Sequence, residues 1–449
     1  MAWERKMMRT VRVRNERKAG VLARLLAAIA SMNASVGSID MINETAQSVL
    51  RDITIYADDT EHMDKVIEAM RVNEGTRVLE VRDEVLALHH KGKIAIRSRF
   101  PIDSIATLRR VYTPGVAEVC LKIADDPALA RLYTSISHMV AIVTDGTAVL
   151  GLGDIGPLAS MPVMEGKAML METFVGLSGM PILLNTKDPD EIVKAVVAIA
   201  PTFAAIQLED ISAPRCFEIE ERLQAQLDIP VMHDDQHGTA VVSTAALMVA
   251  TQRAGVDIKK VKIGQVGLGA AGNAIGKILM SLTGNPVWGA DRDQDAVARF
   301  VRAGGLESSL QQIMAECDVV IAATGIPNLI KPEMVRKGQV ILALSNPNAE
   351  IDPDVALANG AAFAADGKSV NNVLGFPGIF RGAVDSHAPR ITNEMLIAAM
   401  EVLVRMTPAG ELMPNPLDKQ VHQAVARAVA ETAMKQGIAR AEYVPYVEG

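Results

Sequence analysis

A glycine-rich turn between a strand-like and a helix-like segment most constrains the fold of this chain. The residues GLGAAG occupy positions 267–272, after the apolar run VKIGQV and before the helical pattern NAIGKILMSL. In such a turn the first glycine permits a tight bend, the second lets the backbone approach a pyrophosphate, and the third lets helix and strand pack closely. The pattern also occurs as an ordinary glycine-rich turn, but its position between strand and helix favours a dinucleotide-binding fold.

Residues downstream of the turn extend this prediction. The run PVWGAD ends in Asp291, roughly 20 residues further on, where a carboxylate can accept the adenosine ribose hydroxyls. Asp291 favours NAD because it would repel the 2′-phosphate of NADP, whereas Arg292 could instead hold that phosphate. NAD is therefore the predicted cofactor and NADP the alternative. The candidate cofactor-binding residues are Gly267, Gly269, Ala270, Ala271, Gly272, Asp291, Arg292, Thr324 and Asn346.

Length, composition and segment order predict three globular domains. The 449 residues exceed one ordinary core, and 49% hydrophobic with 22% charged residues is typical of folded domains. Alternating runs and helical spacing predict a βαββαβ domain over residues 8–85, with residues 34–42 as its second strand. Strands alternating with helices predict an α/β domain over 91–250 and a Rossmann-type domain with C-terminal helices over 251–449.

Charge and hydropathy exclude several classes of partner. A net charge of −8 argues against a broad nucleic-acid surface, and no apolar run approaches the roughly 20 residues of a membrane span. The start of the chain, MAWERKMM, has charges and no apolar run, so we expect no secretory signal. Cys120, Cys216 and Cys317 lie far apart, which predicts buried free thiols rather than a zinc site or redox pair. We expect a cytoplasmic protein.

Pairs of acids follow two strand-like runs. Glu209 and Asp210 follow AAIQL, and Asp234 and Asp235 follow DIPVM within HDDQHGTA. Acids at the carboxyl ends of strands project into the crevice where α/β folds bind ligands. Converging carboxylates would suit a hard cation such as Mg²⁺ or Mn²⁺, but acids before helices also cap helix N-termini. The spacing leaves both interpretations open.

Two further side chains are candidates for proton transfer. Lys167 lies among apolar residues in the segment GDIGPLASMPVMEGKAMLMETF, where desolvation would lower its pKa toward that of a base. A lysine that extends to the surface fits the same pattern. Tyr112 in VYTPGVAEVC is the second candidate, and a packing residue at a turn is the alternative.

Taken together, these blocks resemble the malic enzyme family in its small-subunit bacterial form. The resemblance covers about residues 91–440 and includes, in the family's order, VYTPGVAEVC, GLGDIGPLASMPVMEGKA, LEDISAPRCFEIE, HDDQHGTA, GLGAAG, SNP and NNVLGFPGIFRGAVD. It implies the oxidative decarboxylation of malate to pyruvate and CO₂ with reduction of NAD or NADP, by a homodimer or larger homo-oligomer. Every motif is also compatible with a malolactic or oxaloacetate-decarboxylating enzyme.

The resemblance also implies roles for individual residues. Lys167 would be the general base for the malate hydroxyl, and Tyr112 the acid that protonates C3. The implied metal ligands are Glu209, Asp210 and Asp235, with Asp234 beside them. The implied cofactor or substrate contacts are Asn346 and Asn372. Large-subunit relatives place an arginine, thought to hold a substrate carboxylate, where this chain has Ala148, so another group must do that work.

The N-terminal domain resembles an ACT regulatory domain. Gly20 lies in the first strand-to-helix turn, in NERKAGVLARLL, and Asn15 and Gly20 are the candidate effector-binding residues. The family usually has proline where this chain has Ala19, so a structural or dimerising module is the alternative to effector binding. A chain that acts mainly as an ACT-based metabolite sensor is a third functional hypothesis, against which the intact Lys167 and Tyr112 speak.

Overall fold

A computed structural model describes residues 7–149, 151–345 and 348–446 of this chain. They form two units, divided between Ala95 and Ile96. None of the helices in the described ranges is long and apolar enough to cross a membrane.

The first unit is a four-stranded antiparallel sheet with two helices packed against it. Its elements are β1 (Met7–Glu16), α1 (Val21–Ser31), β2 (Ser35–Glu44), β3 (Ser48–Ala57), α2 (Thr60–Arg71), β4 (Thr76–Arg82) and α3 (Glu84–His89). Alternate residues of β1, Val11 and Val13, are fully buried against Leu25 and Ile29 of α1. The strand order β2-β3-β1-β4 and the βαββαβ sequence agree with the prediction.

The two candidate effector residues of this unit lie at the start of its first helix and the end of its first strand. Gly20 has a φ of +86°, in the left-handed region that favours glycine. Asn15 is buried and already has partners, because its Nδ2 donates to Thr76 Oγ1 at 2.9 Å and its Oδ1 accepts from Arg51 Nη1 at 3.1 Å. Effector binding by these residues stays a prediction.

The second unit contains two parallel sheets and their helices. Its first elements are α4 (Ile105–Val111), α5 (Gly115–Asp125), α6 (Ala130–Tyr133), β5 (Met139–Thr144), α7 (Pro157–Val175), β6 (Ser178–Leu183), α8 (Pro189–Ile199), β7 (Ala205–Leu208), α9 (Arg215–Gln226), β8 (Val231–His233) and α10 (Asp234–Arg253). Strands β6-β5-β7-β8 form one sheet in that order, all parallel. The carboxyl ends of β7 and β8 therefore lie side by side, directly before the two pairs of acids.

The dinucleotide-type sheet follows in the chain. Its elements are β9 (Ile263–Val266), α11 (Ala270–Thr283), β10 (Trp288–Ala290), α12 (Gln294–Arg302), β11 (Leu306–Glu307), α13 (Leu310–Glu316), β12 (Val319–Ala322), β13 (Val340–Ala343), α14 (Pro353–Ala358) and β14 (Phe363–Asp366), and the chain continues with α15 (Phe376–Asp385), α16 (Asn393–Met406) and α17 (Lys419–Lys435). The parallel order β11-β10-β9-β12-β13-β14 is that of a Rossmann fold, with its switch point between β9 and β12. The α/β prediction is confirmed. Helix α10 runs through residue 250, where the sequence predicts a domain boundary. That boundary stays a prediction.

The cysteines agree only in part with the prediction. All are free, and Cys216 and Cys317 are buried, which raises the pKa of each thiol to about 12. Cys120 is exposed, so its predicted burial is wrong. Cys120 lies on α5, and none of the residues of α4, α5 and α6 is buried.

Candidate active site

Three carboxylates meet at the carboxyl edge of the first sheet. Glu209 and Asp210 follow β7, and Asp235 lies in the first turn of α10, directly after β8. One oxygen of each carboxylate lies within 4.8 Å of those of the other two. Asp210 has a φ of +55°, and its backbone N–H donates to Asp235 Oδ2 at 2.8 Å. The turn after β7 thus folds back onto α10 and brings the predicted metal-binding acids together.

Lys167 reaches this cluster from the middle of α7. It is buried, with Nζ 2.5 Å from Asp234 Oδ2 and 2.9 Å from Glu209 Oε1. Its ammonium group also lies 4.5 Å from the centre of the Phe376 ring, at the start of α15. The alternative of a surface lysine is therefore wrong.

The pKa of Lys167 departs from the expectation. Burial by itself lowers this pKa, but the negative charges of Asp234, Glu209 and Asp235 outweigh burial and raise it above its usual value. The predicted lowering is wrong because the apolar neighbours along the chain do not reveal the carboxylates brought in by the fold. Burial in turn raises the pKa of Asp234 to about 6 and also raises the pKa values of Glu209 and Asp235.

The cluster holds more acids than bases. Burial lowers the pKa of the adjacent His233 to about 4, so this imidazole is neutral at pH 7 and adds no positive charge. Lys167 is then the cation that faces Glu209, Asp234 and Asp235. Oxygen ligands with excess negative charge, of which Glu209 and Asp210 are buried and Asp235 is half-buried, fit a hard divalent cation.

Hydrogen bonds from two side-chain amides hold Asp234 and Glu209 in place. Asp234 Oδ2 accepts from Asn372 Nδ2 at 2.8 Å, on the same oxygen that faces Lys167. Gln207 Nε2 donates to Glu209 Oε2 at 2.6 Å. Asn372, predicted as a cofactor or substrate contact, therefore lies within hydrogen-bonding distance of the acid that orients Lys167.

Glu220 is a buried acid that the sequence reasoning missed. Its carboxylate accepts from the backbone N–H of His233 at 2.8 Å and from Gln236 Nε2 at 3.1 Å, and lies 3.0 Å from His237 Nε2. It thereby fixes the start of α10, from which Asp235 projects. A signal was present, because Glu220 shares the apolar face of α9 with Cys216.

Tyr112 is not brought into the cluster. It ends α4, its side chain is 66% exposed, and its hydroxyl forms no hydrogen bond with any described residue. Lys167, by contrast, is buried. The role of Tyr112 as an acid stays a prediction.

The glycine turn has the geometry that a pyrophosphate requires. Gly267 has a φ of +87°, and a Cβ on Gly272 would lie 1.9 Å from the carbonyl oxygen of Gly267, so helix α11 packs tightly against β9. A Cβ on Gly269 would meet no atom within 4 Å, which leaves open space at the N-terminus of α11. Ala270 and Ala271 form the first turn of that helix.

Asp291 lies at the end of β10, beside this turn. Its Oδ2 accepts from the backbone N–H of Leu268 at 2.6 Å and its Oδ1 from that of Asp293 at 2.9 Å, whereas Arg292 is exposed. The Asp291 carboxylate is thus hydrogen-bonded to the glycine turn, at the position expected for a residue that binds the ribose.

A second missed acid organises the other side of the switch point. Glu350 is fully buried, and its Oε1 accepts from the backbone N–H and the hydroxyl of Thr324 at 2.7 and 2.9 Å and from the hydroxyl of Ser345. It therefore ties together the segments after β12 and β13. Asn346, predicted to contact cofactor and substrate, lies outside the described residues.

Fold and site together define a dinucleotide-binding α/β oxidoreductase with a carboxylate cluster suited to a divalent cation. Residues 92–224 match the family model "Malic enzyme, N-terminal domain". NAD-dependent malic enzyme 1 of Bacillus subtilis is 52% identical over 95% of this chain and 98% of its own length. The chain belongs to the malic enzyme family, which confirms the resemblance seen in the motifs.

Two other relatives support the same assignment. The bifunctional malic/malolactic enzyme of Bacillus subtilis is 43% identical over 81% of this chain and 95% of its own length. The crystal structure of malic enzyme from Pyrococcus horikoshii OT3 has a TM-score of 0.75 and 39% identity, covering 80% of this chain and 92% of that one. This likeness confirms the predicted fold class.

The packing of the glycine turn can be tested with two matched variants. We expect Gly272→Ala to destabilise the protein by about 1–3 kcal/mol, because its Cβ would overlap the carbonyl oxygen of Gly267. Gly269→Ala is the control, since its Cβ meets open space. Thermal unfolding followed by circular dichroism measures both. Equal midpoints for the two variants would contradict the packing role of Gly272.

Proposed function

We propose that this chain oxidatively decarboxylates malate to pyruvate and CO₂, with NAD as the electron acceptor and Mg²⁺ or Mn²⁺ as the metal. The observation that carries the proposal is the position of Lys167, whose Nζ lies 2.9 Å from Glu209, one of three converging carboxylates. A relative with 52% identity bears the name NAD-dependent malic enzyme 1.

Three acids are the proposed ligands of the cation. Glu209, Asp210 and Asp235 offer only oxygen atoms, and these atoms lie close enough together to share one ion. Burial raises the pKa values of Glu209 and Asp235 despite the nearby Lys167 ammonium group. A divalent cation would stabilise the charged forms of these carboxylates.

The proposed chemistry assigns one proton transfer to Lys167. When bound, NAD would accept the C2 hydride of malate and the cation would act as a Lewis acid during decarboxylation. Lys167 would take the proton of the C2 hydroxyl. Asp234 would hold the resulting ammonium at 2.5 Å, and Asn372 would keep Asp234 in that orientation.

The raised pKa of Lys167 makes this assignment depend on charge balance. To act as a base, Lys167 must first lose a proton, and the surrounding carboxylates oppose that loss. A doubly charged cation on Glu209, Asp210 and Asp235 would weaken their effect on the ammonium group. Metal binding and activation of the base are therefore coupled in this proposal.

Asp291 supports NAD as the proposed cofactor. Its carboxylate is fixed by the backbone N–H groups of Leu268 and Asp293 and cannot easily turn away from a 2′-phosphate. Repulsion at close range amounts to roughly 1–4 kcal/mol, which disfavours NADP.

A direct activity assay tests the proposed reaction. Purified protein with malate, Mn²⁺ and NAD should form NADH and pyruvate, and Lys167→Gln should lower kcat at least roughly 100-fold, the usual contribution of a general base. Lys194→Gln, an exposed lysine of α8, is the control and should keep full activity. The proposal fails if neither NAD nor NADP is reduced, and the base assignment fails if Lys167→Gln retains full turnover.

The product distinguishes the alternative function. A relative with 43% identity is named a bifunctional malic/malolactic enzyme, so conversion of malate to lactate is the second candidate. Lactate in place of pyruvate, without net reduction of NAD, would favour it.

The proposed metal ligands can be tested without turnover. Asp235→Asn should weaken Mn²⁺ binding at least roughly tenfold, because a carboxylate contributes charge that an amide does not. Glu221→Gln, an exposed residue of α9, serves as the control. Isothermal titration calorimetry with Mn²⁺ alone measures both variants. Unchanged affinity in Asp235→Asn would remove it from the ligand set.

We further propose a cytoplasmic homodimer with a regulatory N-terminal domain. The exposed apolar side chains of α4, α5 and α6, which include Leu108, Val111, Leu121 and Leu132, form a surface that a second copy would bury. The free cysteines suit a reducing compartment. The βαββαβ domain would bind a small effector, as its ACT-like order suggests.

Removal of the first unit tests both parts of this proposal. A chain that begins at Ile96 should remain a dimer and keep its catalytic activity, because the apolar surface and Lys167 lie in the second unit. It should lose any response to a panel of amino acids and carboxylic acids that the full chain shows. Sedimentation velocity and steady-state kinetics provide the measurements. If the shortened chain is a monomer, the dimer surface does not lie where we propose. If no compound of the panel changes the kinetics of the full chain, effector binding is contradicted.

A further inference from the structure

A cavity of about 310 Å³ lies in the second unit, apart from the carboxylate cluster. It is lined by the last residue of α7, by α15, α16 and α17, and by the tail that follows α17. Its size is near the lower end of the range of roughly 300–1,000 Å³ found for small-ligand pockets. None of the residues assigned above to metal, cofactor or proton transfer lines it.

The charge of the lining is strongly positive. Three arginines, Arg381, Arg405 and Arg427, face one acid, Glu431. Arg381 is already paired, with Nη2 2.6 Å from Asp385 Oδ1. Arg405 and Arg427 are exposed and have no ion pair with any described residue, although Arg427 already hydrogen-bonds with the Tyr443 side chain. Two guanidinium groups are therefore available to a ligand that enters from solvent.

Two tyrosines complete the wall. Burial raises the pKa of Tyr443, with a further contribution from Asp385 that Arg427 opposes, so its phenol stays protonated and can donate a hydrogen bond. The ring of Tyr446 lies 4.7 Å from the Arg381 guanidinium and packs against Gly176, where a Cβ would overlap it. The tail is thus held in place by the surface that it covers.

We propose that this cavity is a second binding site, for a small polyanion with two or more carboxylate or phosphate groups. Guanidinium groups and phenols donate hydrogen bonds, and guanidinium groups bind carboxylates and phosphates in a bidentate manner. Two such groups without an ion-pair partner among the described residues match a ligand with two anionic ends. The size of the cavity restricts the ligand to a small molecule.

The cavity is connected to the catalytic lysine by two helices. Arg381 Nη1 donates to the carbonyl oxygen of Val175 at 3.4 Å, at the end of the helix that carries Lys167 about 12 Å away. Arg381 itself lies on α15, whose first residue, Phe376, contacts the Lys167 ammonium group. A ligand that draws on Arg381 would act on both helices, so occupancy should alter the affinity for malate. This second step rests on the proposed function, whereas the binding site does not.

Calorimetry of the full chain tests the binding site. The probes are succinate, inorganic phosphate and pyrophosphate, which separate carboxylate from phosphate ligands. Arg405→Gln/Arg427→Gln should weaken one binding event roughly 100-fold, because each lost guanidinium removes a charged hydrogen bond. The control is Arg302→Gln/Lys435→Gln, which removes two exposed positive charges outside the cavity and should bind as the wild type does.

Two results would overturn the site. One is the lack of saturable binding for every probe, and the other is equal binding by the double variant and the control, which would place any bound anion elsewhere. Circular dichroism confirms that both variants remain folded, as expected for exposed positions. The coupling is tested separately: the binding probe should change the apparent KM for malate at least about twofold in the control and not in the double variant, and an identical change in both would overturn it.

Discussion

The structure depends on a lysine and several acids that share one buried edge of a parallel sheet. Charges removed from water are tolerated only when they are paired and hydrogen-bonded. Lys167 satisfies this condition by contacting Asp234 and Glu209, which in turn accept from Asn372 and Gln207. Lys167 lies on α7, Asp234 on α10, Gln207 and Glu209 at the end of β7, and Asn372 just before α15. The pairing therefore holds these four parts of the chain in one arrangement.

Helix α10 relates this edge to the dinucleotide turn. It begins at the acids of the cluster and packs along α11, which begins at the glycine turn. Asp235, one of the proposed metal ligands, and the glycine turn therefore lie at the starts of two packed helices. The small residues of α10, which include Gly238, Ala240 and Ala245, are buried, and this helix packs against both α11 and α16.

The sequence was sufficient for those parts of the site that depend on local position. Acids directly after apolar strands, and glycines between strand and helix, have the same meaning wherever they occur, and the structure brings Glu209, Asp210 and Asp235 together as expected. The sequence was insufficient for those parts of the site in which residues distant in the chain meet. The pKa of Lys167 depends on acids far away in the chain, and Glu350 contacts Thr324 only because β12 and β13 are neighbours.

The exposed position of Tyr112 in a single chain does not fit its predicted role as the acid that protonates C3. An acid that protonates a carbanion-like carbon must be shielded from water, yet this phenol is mostly exposed and its segment contributes no buried residue to α4 or α5. Nearby apolar side chains such as Leu108 and Val111 are exposed as well. The surface that an oligomer would bury therefore contains the proposed acid, so assembly and protonation at C3 would depend on the same contact.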